Sequence, residues 1–229
     1  MIPLRDLNPT RRIPIVNILL IGVNVVFFLY ELYLQQSGQL EAAIQTMALV
    51  PYNLTHSPSL DTVLDLFRAM FMHGGWPHLI GNMLYLWIFG DNIEDVLGSI
   101  GFVLYYLACG VAASLLQVIA QPNSTVPMLG ASGAIAGVLG GYLVLFPQAR
   151  VMTLVPLGWY IRMQELPAII VLGFWFVLQL FNGLFSFGVE QMGGVAYFAH
   201  IGGFVAGLVL ALLVRGRARE RMRSEGYWD

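Results

Sequence analysis

Apolar residues run along this chain in long blocks. Six blocks reach the roughly 20 residues that a helix needs to cross a hydrocarbon core of about 30 Å. They fall at about 14–34, 78–97, 99–120, 128–146, 166–185 and 197–214. Polar residues gather between them, in a first loop at 35–77, turns at Gly98 and from Gln121 to Pro127, an Arg-containing loop at 147–165, a Gly-rich loop at 186–196 and a basic tail at 215–229. The pattern predicts an all-α membrane protein, a polytopic bundle of six transmembrane helices forming a single domain over 1–229. The first block is longer than the apolar core of a signal peptide, so it reads as a retained span. Within the first loop, LFRAMFM is too apolar for a free linker and is expected to lie partly in the headgroup region.

Composition agrees: of 229 residues, 58% are hydrophobic and 10% charged, against about a quarter charged in soluble domains. The net charge of −2 and the absence of lysine leave no basic surface for nucleic acid. Ten arginines (Arg5, Arg11, Arg12, Arg150, Arg162, Arg215, Arg217, Arg219, Arg221 and Arg223) fall on one side of the predicted spans, and only Arg68 on the other. Because Lys and Arg stay in the cytoplasm, both termini are expected there, with 215–229 a cytoplasmic tail. RGRARERMR reads as a stop-transfer signal with some attraction to anionic lipid. Asn53-Leu54-Thr55 and Asn123-Ser124-Thr125 are glycosylation-type triplets on the outer side. The lone Cys109 has no histidine near it in sequence and reads as a small core residue.

Polar side chains inside spans are expensive and mark function. His78 and Asn82 on the second span, Ser132 on the fourth and His200 on the sixth stand out. Counted from the span ends, Asn82, Ser132 and His200 lie about 5–8 Å below the outer boundary, all at one level. Ser132 sits in GASGAIAG, where Gly133 and Gly137 have the spacing of a helix-packing seam; Gly203 and Gly207 repeat it in AHIGGFVAG around His200. Close packing there would bring a serine within about 3 Å of a base, the distance that activates a nucleophile. His78 and Asn82, at i and i+4, share a helical face suited to an oxyanion hole, or to interhelical hydrogen bonding. Gly130 is counted with this oxyanion group. No acid lies at this level to orient His200, so the pair reads as a Ser-His dyad whose tautomer is set by packing or a neutral hydrogen bond.

HGGWPHLIGNMLYLWIFGDNIEDVLG at 73–98, GASGAIAG at 130–137 and AHIGGFVAG at 199–207 together resemble the rhomboid intramembrane serine proteases. The resemblance implies Ser132 as nucleophile, His200 as general base, and His78, Asn82 and the Ser132 N–H around the oxyanion. It implies single-span membrane protein substrates cut near the outer face, in a bacterial inner (cell) membrane, with no cofactor or metal. It implies lateral entry past the fifth span, where Trp175 and Gln179 lie one turn apart; a lipid-facing aromatic helix is the plainer reading of Trp175. Two departures stand out. Phe67-Arg68 replaces the Trp-Arg of many members, and Ala136 stands where some carry an aromatic residue against the histidine, which leaves His200 less tightly held. The competing functions are a rhomboid-like protein that binds membrane clients without cutting them and a small transporter. The first usually lacks the serine or histidine, and the second needs polar groups near the midplane.

Overall fold

The computed structural model describes residues 1–186 and 195–224, so most of the Gly-rich loop and the last five residues of the basic tail lie outside the described residues. Strand β1 (Ile2–Asp6) leads to α1 (Ile15–Gln36). Three short helices follow, α2 (Leu40–Met47), α3 (Pro51–His56) and α4 (Leu60–Arg68), with a 3-10 turn at Ala69–Phe71. Then come α5 (Trp76–Leu97), α6 (Ser99–Ala120), α7 (Ser132–Leu145), the strands β2 (Arg150–Leu157) and β3 (Tyr160–Pro167), α8 (Ala168–Phe185) and α9 (Tyr197–Ser224).

Four stretches are long and apolar enough to cross a membrane: Ile15–Gln36, Ser99–Ala120, Ala168–Phe185 and Tyr197–Gly216. The protein is therefore integral to the membrane. Helix α7 has only 14 residues, about 21 Å. Helix α5 is as long as α6 but ends in Asp91, Glu94 and Asp95. Two of these acids close the start of α1. The Glu94 carboxylate accepts the N–H groups of Val16 and Asn17 at 3.1 and 2.8 Å, and the Ser99 hydroxyl at 2.7 Å. Asp95 accepts the Arg11 N–H. A helix N-terminus leaves its first N–H groups unpaired and attracts negative charge, so these acids serve the fold.

The all-α expectation holds for the bundle but omits a sheet. Residues 147–165, read from sequence as a loop, instead form a β2–β3 hairpin closed between Leu157 and Tyr160, with β1 added antiparallel to β2. Val151 and Thr153 are fully buried, and the Tyr142 hydroxyl of α7 donates to the Asp6 carboxylate at 2.7 Å. Much of LFRAMFM packs against the protein. Leu66, Ala69, Met70 and Met72 are buried in the protein, while Arg68 pairs with Asp65 and Asp61 of its own helix. Phe67, between them, stays 39% exposed.

Helix α7 is the centre of the molecule, with α5, α6 and α9 packed around it; Phe89, Phe102, Tyr106, Leu139, Tyr142 and Phe204 are all buried where they meet. Its contact with α9 is backbone on backbone. A Cβ at Gly203 would fall on the Gly133 carbonyl, one at Gly207 on the Gly137 carbonyl, and one at Gly140 on the Phe204 carbonyl. Gly133 and Gly137 give α9 their carbonyls, but their own missing side chains leave room for α6: a Cβ at Gly133 would lie 2.6 Å from that of Ala113, and one at Gly137 would meet Cys109. The Tyr105 hydroxyl, 2.8 Å from the carbonyls of both Gly137 and Gly207, bridges the two helices.

Candidate active site

Ser132 is the first residue of α7, not one turn inside a span as the block at 128–146 predicts. The four residues before it are not helical: Met128 bridges to Leu49, and Gly130 has φ +126°. A side chain at that φ is strained, and a Cβ there would lie 2.6 Å from the His78 ring. Helix α7 therefore starts at the serine. The Ser132 N–H has no acceptor within its own helix.

Across the glycine seam, His200 lies in the first turn of α9, with its Nε2 2.8 Å from Ser132 Oγ. Its other ring nitrogen, Nδ1, is 2.8 Å from Gln179 Oε1 on α8. The Trp175 ring, one turn earlier on α8, stands 5.9 Å from the imidazole centroid to centroid. Trp175 and Gln179, expected at a lateral gate, are thus turned toward His200. The imidazole is held on two sides despite Ala136.

Ser132 and His200 open onto a cavity of about 680 Å³ that is also lined by Gly74, His78, Asn82, Tyr85, Ala136, Leu139 and Trp175. His78, Asn82, Ser132 and His200 give it a polar wall, and Ile135, Ala136, Leu139 and Trp175 add apolar surface. His78 and Asn82 come from one face of α5, as their spacing requires. Gly130 cannot act as an oxyanion donor, because its N–H already donates to the Ala69 carbonyl at 2.8 Å. Its part is to leave space beside His78.

The sequence reading passed over two residues that hold this wall. His73 is buried, and Asn82 Nδ2 lies 3.0 Å from its Nε2. His73 Nδ1 faces the Phe71 carbonyl at 3.3 Å, so Nδ1 carries the proton and Nε2 accepts from the Asn82 amide. Burial, with His78 beside it, pushes the His73 imidazole down to about 4, and it is neutral at pH 7. Its backbone N–H donates to both oxygens of the buried Glu31 carboxylate, at 3.0 and 3.1 Å. The expectation that no acid lies at this level is therefore wrong, because Glu31 does; but it grips His73 and does not orient His200. The available signal was an acid inside the first apolar block. Among the described residues, no cluster of His, Cys, Asp and Glu could hold a metal ion.

Residues 61–217 match the rhomboid domain family. The chain is similar to the rhomboid protease GluP of Bacillus subtilis, 35% identical over 69% of this chain and 28% of that protein. It is similar to rhomboid protein 1, mitochondrial, of Saccharomyces cerevisiae, 28% identical over 77% of this chain and 50% of the relative. RHOMBOID-like protein 2 of Arabidopsis thaliana is 35% identical over 66% of this chain and 42% of its own length. The chain thus spans half or less of the length of these relatives.

Proposed function

The chain belongs to the rhomboid family, and on that premise we propose that it is an intramembrane serine endopeptidase acting through a Ser132–His200 dyad. The observation that carries this reading is the 2.8 Å approach of Ser132 Oγ to His200 Nε2 at the wall of a large cavity. Ser132 Oγ attacks the carbonyl carbon of the scissile bond as its proton passes to His200 Nε2. The oxyanion takes hydrogen bonds from the Ser132 N–H at the positive end of α7, from Asn82 Nδ2 and from His78. His200 then gives the proton to the leaving amine, and water entering the cavity hydrolyses the acyl-enzyme. This chemistry uses no metal or cofactor.

In the same reading the whole chain is one rhomboid-like domain with six spans and both termini cytoplasmic, as the arginine distribution supports, so the site opens toward the outer face of a cell membrane. The substrates are single-span membrane proteins. A helix shields its own peptide bonds, so cleavage falls where Gly or Pro lets it unwind. The test is incubation of the purified protein in detergent or liposomes with a panel of single-span substrates, beside Ser132→Ala. Cleavage by the wild type alone is expected. A panel left intact by both, with binding retained, would make the protein a client-binding relative; cleavage by both would place the nucleophile elsewhere.

A further inference from the structure

We infer that Gln179 is a positioning residue for the dyad: its side-chain carbonyl fixes His200 in the Nδ1–H tautomer and so presents the Nε2 lone pair to Ser132. The inference rests on the Ser132–His200 reading and adds to it the element that supplies the third contact, α8. A neutral imidazole has one N–H and one lone pair, and the hydrogen bond made by one nitrogen decides the role of the other. Left to itself, the ring favours the proton on Nε2. In that tautomer Nε2 would donate toward Ser132 Oγ and could not take its proton. Gln179 Oε1, 2.8 Å from Nδ1, can only accept, so Nδ1 must carry the proton. Nε2 is then the acceptor 2.8 Å from Ser132 Oγ.

The other groups around the ring cannot do this. Ser132 on α7 faces the opposite nitrogen. Trp175 on α8 offers its ring at 5.9 Å. His78 on α5 lines the same cavity but carries no negative charge, and Glu31 on α1 is taken up by the His73 backbone. Gln179 reaches His200 from a helix with few buried positions, Ala168, Val171, Leu172 and Gly183. The amide thus does the work that a carboxylate does in a triad, without placing a charge in the bundle. When the proton moves to Nε2 in the reaction, the same oxygen stabilises the imidazolium through Nδ1–H.

The experiment measures the rate of labelling by a fluorophosphonate against pH for the wild type, Gln179→Met and Gln179→Glu, with thermal midpoints recorded beside it. This probe needs the activated serine but no knowledge of the substrate. Met keeps the length and removes the acceptor. Its plateau rate should fall about 10–10²-fold, short of the roughly 10⁴ lost when a triad tautomer is inverted outright. Its acid limb should move to lower pH, because the charged ring has lost a partner. Glu restores an acceptor: it should label faster than Met, with its acid limb moved up by about one pH unit. A merely structural Gln179 would shift thermal midpoints and leave the acid limb in place. Wild-type plateau and limb in Gln179→Met, or equal slowing in both variants with unmoved limbs, would overturn the inference. A wild type that takes no label at Ser132 would instead overturn the dyad itself.

Discussion

Asn82 and His78 share a face of α5, yet their substitutions should not be equivalent. The Asn82 amide is aimed by a chain of buried contacts, from Glu31 to the His73 backbone and from the His73 ring to Asn82 Nδ2. Among the described residues the His78 ring takes one long hydrogen bond, from the Gly74 N–H at 3.4 Å, beside an edge-on contact with the His73 ring. Asn82→Ala is therefore expected to slow cleavage by about 10²–10³, the cost of one oxyanion donor, with His78→Ala less damaging; single-turnover rates in both variants check the order. His73 makes a pH prediction. Its folded pKa, about 4, lies below the usual histidine value of about 6.5. The neutral ring therefore contributes stability that is fully present above about 6.5 and lost as pH falls toward 4, on the order of 3 kcal/mol in all. Protonation also takes from Nε2 the lone pair that holds Asn82. The excess of wild-type thermal midpoint over His73→Gln should shrink between pH 7 and 4.5; a constant difference would contradict it. Ser132, His200, His78 and Asn82 were legible as polar residues in apolar blocks. Gln179 was legible too, but not its direction, because α8 presents residues of similar polarity all round.

Among the elements, the α7–α9 seam sets the distance between Ser132 and His200, the proposed nucleophile and base. Gly203 sits one turn below His200, and its Cβ would occupy the Gly133 carbonyl oxygen, one residue from Ser132. Gly203→Val must separate the backbones. A displacement of about 1 Å can cost on the order of 10²-fold in rate, and the lost packing lowers stability, because helices in lipid associate through close contact. Loss of activity and a lower thermal midpoint, with Ser132 and His200 intact, are expected; wild-type activity would show that the seam does not govern the dyad. The spacing of Gly133, Gly137, Gly203 and Gly207 revealed the seam. It did not reveal that Gly133 and Gly137 open toward α6, nor that Gly140 joins α9, because spacing along one helix does not say which neighbour each position faces. The start of α7 was misjudged for a local reason: 128–131 is apolar, and only the backbone of Gly130 and the bridge from Met128 to Leu49 keep it out of the helix.

At the scale of the molecule, apolar blocks revealed the bundle because lipid leaves a helix few alternatives. The sheet was hidden, since β1 and β2 pair residues 2–6 with 151–154 across most of the chain, and the hairpin's alternating pattern carries two prolines and two arginines. What joins these scales is the single chemical event of the proposed mechanism, transfer of the Ser132 proton to His200 as the oxygen forms a bond. The most direct measurement is mass-spectrometric location of a fluorophosphonate adduct on the intact membrane protein, with the labelling rate compared in His200→Ala. One adduct is expected, on Ser132, formed at least about 10²-fold more slowly in the variant. An adduct on another residue, or labelling of Ser132 at the wild-type rate without His200, would contradict it.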